Sequence, residues 1–151
     1  DALAAGGLEP GVVATLYSGS SGALKSKTQN HVPITLVDVT REPASSFEQQ
    51  LPSSYNGFAY VLEGSVRAGD GRWLTKGQVG WLDRPSGGDL ESMLRLTSRD
   101  EGARVVLYTG QPQNEPLIHY GPFIADDEQQ LGTMFRDFRA GRFTKMSELH
   151  R

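Results

Sequence analysis

The sequence predicts an all-β fold, an antiparallel sandwich or barrel, with one α-helix at its C-terminal end. Three observations predict it. Short stretches alternate apolar and polar side chains, the period of a strand with one face in a core. Glycine- and proline-centred turn signals separate these stretches at short, regular spacing. Late in the chain the apolar period changes once, from 2 to 3.6.

The strands follow in order. VVATLYSG (12–19) is the first, and SGSSG (18–22) reads as a flexible turn after it. VPITLVDVT (32–40) sets Ile34, Leu36 and Asp38 on one face and Val37 and Val39 on the other. Glu42-Pro43 turns the chain into FEQQL (47–51), which Pro52 ends because proline cannot donate to a ladder. FAYVLEG (58–64) and SVRAG (65–69) read as two strands joined by a hairpin at Glu63-Gly64, and Asp70-Gly71 is a second hairpin turn. RWLT (72–75), QVGWLD (78–83), ESMLRLTS (91–98) and ARVVLYTG (103–110) follow, separated by Lys76-Gly77, PSGG (85–88) and RDEG (99–102).

The helix is expected at about 127–140. Leu131, Met134, Phe135 and Phe138 fall at i, i+3, i+4 and i+7, one apolar stripe. Asp127 with Gln130 three residues on forms a capping-box start, and Gly141 sits where a C′ glycine belongs. Arg136 and Arg139 in the last turn complement the helix dipole. The reading is of one domain: a barrel over about 10–124, the helix, and a tail at 144–151.

Composition narrows the function classes. A chain of 151 residues with 37% hydrophobic and 22% charged residues supports one real core. A net charge of −3 leaves no electrostatic footprint for nucleic acid. No apolar run approaches the ~20 residues that span a bilayer. Without cysteine there is no disulfide, thiolate nucleophile or Cys-based zinc site. The start, DALAAGGLEPGVV, has neither a basic leader nor a Met, so a processed piece of a longer protein is expected, with a cytoplasmic address, or a nuclear one if eukaryotic. Phosphate-binding glycine motifs and the G-x-S-x-G elbow are absent.

Several separated segments resemble one family. N-E-P, Y-G-P-F and R-D-F-x-A-G-R-F within GQPQNEPLIHYGPFIADDEQQLGTMFRDFRAGRF (110–143) are similar to the end of the pirin C-terminal domain. KSKTQNHVPITLVDV (25–39), LPSSYNGFAYVLEG (51–64) and EGARVVLYTG (101–110) resemble the same domain in the same order. Pirins are two-domain members of the cupin superfamily, so the resemblance implies an antiparallel cupin (jelly-roll) β-barrel. It also implies that this chain corresponds to the second of two barrels, either parted from the first or a stand-alone relative, with iron expected only in the N-terminal one. For whole pirins it implies a role in transcriptional co-regulation and, in some members, quercetin 2,3-dioxygenase activity.

Metal-bearing cupins place two histidines two apart on one strand face, then a carboxylate, then a distant histidine. Aligned on Tyr60-Val61-Leu62-Glu63-Gly64, the resemblance puts these first three ligands at positions 50, 52 and 56, held here by Gln50, Pro52 and Asn56. Residues 77–98 contain no histidine for the fourth. No cofactor and no catalytic residue are therefore expected in this chain. His31, His119 and His150 have no histidine at i+2 or i+4. Glu63 is expected to face solvent at its turn, and Asp38 to pair with a nearby arginine. Arg136, Arg139 and Arg142 are a basic cluster that the helix C-terminus itself accounts for.

Two surfaces remain as binding candidates. Phe58, Tyr60, Trp81 and Tyr108 are candidate cavity aromatics, pointing inward or lining the barrel mouth, where they would take a small molecule or simply pack. NEPLIHYGPFI (114–124) concentrates Leu117, Ile118, Tyr120, Phe123 and Ile124, a candidate interface for the absent barrel, a second copy in a two-fold dimer, or another protein partner. The alternative is that proline-bounded loops fold the segment back over the barrel.

Overall fold

A computed structural model of the protein describes residues 3–4, 10–83 and 91–144. Twelve strands precede one helix among them. The chain divides into two compact units after Pro112. PSGG (85–88) lies outside the described residues.

The first unit is built on a twisted antiparallel sheet in the order β1 (Leu3–Ala4), β2 (Val12–Ser18), β5 (Ile34–Arg41), β10 (Glu91–Gly110), β7 (Asn56–Ala68) and β8 (Trp73–Thr75). β6 (Ser46–Pro52) pairs with the first half of β10, and β9 (Val79–Trp81) with β7. A short ribbon, β3 (Ser20–Ser21) with β4 (Leu24–Lys25), occupies the stretch expected as a flexible turn. Ser21 within it is buried. The architecture is the antiparallel, jelly-roll type expected, but the ladder does not close. Among the described residues, β1 and β8 each have a neighbour on one side only.

Two expected turns are not turns. The hairpin read at Glu63-Gly64 is the middle of β7, one strand of 13 residues. Likewise RDEG (99–102) does not reverse the chain, and β10 runs through it for 20 residues. The register instead shifts between Ser98 and Ala103, and again between Arg104 and Val105. Gly64 (φ +67°) and Gly102 (φ +73°) face each other at the distortion. A left-handed glycine serves a bulge as well as a hairpin, so the dipeptide signal alone does not distinguish them.

The bulges let one sheet lie over itself. Ala14, Leu16, Val37, Val39, Ala59, Val61, Val105 and Leu107 line one wing of a single core, and Phe47, Val66, Leu74 and Leu96 the other. Ten of these twelve are at most 2% exposed, so they form a close-packed core.

In the second unit β11 (Ile118–Tyr120) and β12 (Phe123–Ala125) form a hairpin that packs on α1 (Glu128–Arg139). The helix is capped as its sequence predicts. The Asp127 side chain accepts from the Gln130 amide, and Gln130 Oε1 accepts from the Asp126 amide. At the other end the Gly141 amide donates to Phe138 O and the Arg142 amide to Asp137 O, a Schellman closure around Gly141 at φ +67°.

The glycine at the bulge yields a test. A Cβ on Gly64 would sit 2.1 Å from the Gly102 carbonyl oxygen, whereas one on Gly69 (φ +51°) would meet nothing within 4 Å. Gly69→Ala is expected to cost only the left-handed backbone penalty, about 1 kcal/mol. Gly64→Ala adds a backbone clash and is expected to cost at least twice as much, read as the larger fall in thermal midpoint.

Candidate functional site

A cupin metal centre would be built from inward-pointing side chains on β6 and its neighbours, so the site begins with strand register. Along β6 the buried residues are Phe47, Gln49 and Leu51, while Glu48 and Gln50 are exposed. Positions 50 and 52, where the family pattern sets its paired histidines, therefore point away from the core. Gln50 donates through Nε2 to Glu91 on the surface, and Asn56 is exposed at the start of β7. Alternation makes this an all-or-none matter, because a shift of one residue moves every side chain of a strand to the other face.

The inward positions are thus Gln49, Leu51 and the adjacent buried Ser53. Phe47-x-Gln49-x-Leu51 carried that signal in its alternation, yet the alignment on residues 60–64 set it aside. Gln49 is 3% exposed and donates through Nε2 to the carbonyls of Ser20 (3.2 Å) and Gln50 (3.0 Å). A carboxamide, an alkyl group and a hydroxyl are poor ligands for iron or manganese. No three of His, Asp and Glu converge among the described residues. His31 and His119 are exposed, and His150 lies outside the described residues. The residues present do not fit the metal that the fold family implies.

The two carboxylates singled out in the sequence have structural surroundings. Glu63 is exposed, opposite Arg104 in the ladder. Asp38 is nearly buried and takes a forked pair from Arg104: Nε donates at 3.1 and 3.2 Å, and a terminal nitrogen at 2.6 Å. This pairing raises the Arg104 guanidinium pKa above its ordinary value, first through the hydrogen bond and then through charge. The Glu101 carboxyl is held below the usual range, chiefly by the Ser65 hydroxyl and by its own amide.

Of the two positions expected for the candidate cavity aromatics, the structure gives them the one away from the core. Ala59, Val61 and Leu107 take the inward positions, so Phe58, Tyr60 and Tyr108 face out. Trp81, Phe58, Tyr108 and Leu36 then stand side by side across β9, β7, β10 and β5. Phe58 stacks on Tyr108 (centroids 5.7 Å apart) and meets Trp81 edge-on (5.5 Å). With Val32 and Ile34 they line an apolar cleft of about 300 Å³, floored at Gly57. Tyr60 lies one row away from this cleft.

The 114–124 segment splits between an interior and a surface role. Phe123 is the hub of an aromatic cluster within the second unit, meeting Phe135 at 4.8 Å, Phe138 at 5.6 Å and Phe143 at 5.7 Å. Tyr120 touches Phe135 at 5.6 Å, yet Tyr120, Leu117 and Ile124 remain 60–69% exposed, and Ile118 is half-buried. Phe123 is thus taken up by α1 and the residues after it, while Leu117 and Ile124 stay exposed.

Comparison with known proteins places this geometry. The family model for the pirin C-terminal cupin domain matches residues 36–144. A pirin-like protein from Solanum lycopersicum is 30% identical over 87% of this chain and 44% of its own length. A solved protein from Geobacillus kaustophilus is 39% identical, with a TM-score of 0.70 over 77% of this chain and 45% of its own. A solved quercetin 2,3-dioxygenase from Acinetobacter baumannii shares the fold, with a TM-score of 0.81, 24% identity, and coverage of 97% and 49%. The chain spans about half the length of the proteins it matches.

Phe123 at the hub sets an expectation for mutation. Phe123→Ala removes three ring contacts and is expected to cost about 2 kcal/mol within the second unit. Amide exchange across residues 128–139 should accelerate about tenfold or more, whereas Leu117→Ser, at an exposed site, should leave it unchanged.

Proposed function

The chain belongs to the pirin family, and on that premise we propose that it is the metal-free, non-catalytic cupin half of a two-barrel pirin-type protein. Its role in this reading is structural: it supports a metal-bearing N-terminal cupin and offers surface to a partner. The observation that supports the reading most is the register of β6, which turns Gln49, Leu51 and Ser53 inward where metal ligands would have to stand. The matched proteins, about twice as long as this chain, supply the rest of the argument.

Oxygenase chemistry on quercetin, in this reading, belongs to the two-barrel protein. Activating dioxygen at an aromatic alcohol needs a redox metal with open coordination positions, which only the other barrel would supply.

Elemental analysis and a quercetin assay under air test the proposal together. The purified 151-residue chain, offered iron(II) and manganese(II) and then desalted, is expected to retain neither in stoichiometric amount. It should also leave the quercetin absorbance at the rate of the blank. One equivalent of iron per chain with turnover would overturn the reading.

A further inference from the structure

At one end of the first unit the inward face changes from hydrocarbon to hydroxyl. Across β2, β5, β10 and β7, Ala14, Val39, Val105 and Val61 form one inward row, and Leu16, Val37, Leu107 and Ala59 the next. The row after that sets Thr109 between Thr35 and Gly57, and Ser18 is buried at the end of β2. Gln49 of β6 is buried too, as is Ser21, next to the Ser20 carbonyl that Gln49 bonds. Valine would fill either threonine position with the same shape and no hydroxyl to desolvate. Among the described residues, Ser21 Oγ, Gln49 Oε1 and Thr109 Oγ1 find no hydrogen-bond partner. Buried polar atoms kept without partners cost stability, so packing does not account for them.

The same end opens on a cleft of about 510 Å³ between the start of β5 and the end of β6. Thr35 stands in its wall, and Val32, Ile34 and Leu51 give it aliphatic surface. Among the described residues, no Asp, Glu, Lys or Arg lines it, so a charged guest would meet no counter-ion from a carboxylate, ammonium or guanidinium. What the lining offers is acceptors. The Ser26 and Thr28 hydroxyls already donate to the Tyr17 carbonyl, at 2.8 and 2.7 Å, and keep only lone pairs for a visitor. Asn30 Nδ2 donates to Ser18 and Gln50 Nε2 to Glu91, which leaves each amide oxygen to accept. An uncharged, acceptor-rich cleft with aliphatic walls suits a compact molecule that brings several hydroxyl donors and C–H faces. We propose that this cleft binds a small neutral polyol of about the size of a monosaccharide, its hydroxyls donating to Thr28, Asn30 and Gln50. The site needs no metal, so it gives the barrel a ligand without giving it oxygenase chemistry. This goes beyond the structural role above and does not depend on it.

Probes that share one frame and differ in charge make the test. Glucose, glucosamine and glucuronate are neutral, cationic and anionic, and mannose, galactose and myo-inositol widen the neutral arm. Each is titrated into the isotope-labelled 151-residue chain and followed by amide chemical shifts. At least one neutral probe is expected to move the amides of Thr28, Thr35 and Leu51 saturably. Those of Val66 and Leu74, on the other wing of the core, should stay in place. Thr35→Val and Gln50→Leu should each weaken that binding about tenfold without lowering the thermal midpoint of the free chain. Gln50 is exposed, so its loss cannot be laid to a misfolded core. No saturable shift with any neutral probe would overturn the proposal. So would tighter binding of glucosamine or glucuronate than of every neutral probe, or binding that both variants leave intact.

Discussion

The side-chain alternation of one long strand, β10, is the constraint on which the first unit depends. Its 20 residues pair with β6 along the first half, with β5 along the second, and with β7 on the remaining edge. Leu96, Val105 and Leu107 turn into the core, which obliges Val106 and Tyr108 to turn out. Every partner strand inherits that choice through its register. Val37 and Val39 follow inward on β5, Ala59 and Val61 on β7, and Phe47 and Gln49 on β6. The same period that fills the core therefore removes positions 50 and 52 from it, and gathers the aromatic residues on the outer face.

A strand this long is useful only if it bends, and glycine supplies the bend. The four residues 99–102 swell out of the ladder, where a Cβ on Gly64 would strike the Gly102 carbonyl oxygen and one on Gly102 the Arg41 carbonyl oxygen. A β-bulge at this place increases the local twist and lets the two ends of β10 and β7 serve opposite wings of one core. Apolar burial then does the stabilising, with the Asp38–Arg104 fork tying β5 to β10 on the outer face. That fork is half in water on the arginine side, so its worth lies more in fixing register than in net stability.

Most of the fold was legible in the sequence. Alternation at VVATLYS, ITLVDVT and FEQQL located β2, β5 and β6 to within a residue or two, and the change of period located α1 together with its caps. The hairpins misread at Glu63-Gly64 and at residues 99–102 share one cause: a left-handed glycine marks a backbone conformation, and the partner strand decides whether the chain reverses there. The site was legible in chemistry but not in address. Neutral residues at the metal positions could be read directly, while the face of β6 could be assigned only from Phe47 and Leu51, which needed the core to be known. Phe58, Trp81 and Tyr108 stand together in the structure, with Tyr60 one row away, but nothing local to those residues says which side of a sheet is the inside. Phe123 posed the same difficulty, since its partners Phe135, Phe138 and Phe143 lie 12 to 20 residues further along the chain.

The central proposal is that the inward residues of β6 and its neighbour, Gln49, Leu51 and Ser53, hold no metal. Paramagnetic broadening tests it most directly. Manganese(II) titrated into the isotope-labelled chain relaxes only nuclei near where it binds. The account predicts that the amide signals of Val61 and Leu107 keep their intensity, with losses confined to the surroundings of exposed acidic residues such as Glu91. Selective, saturable loss of those two interior signals at one equivalent would place a metal among the core strands and contradict it.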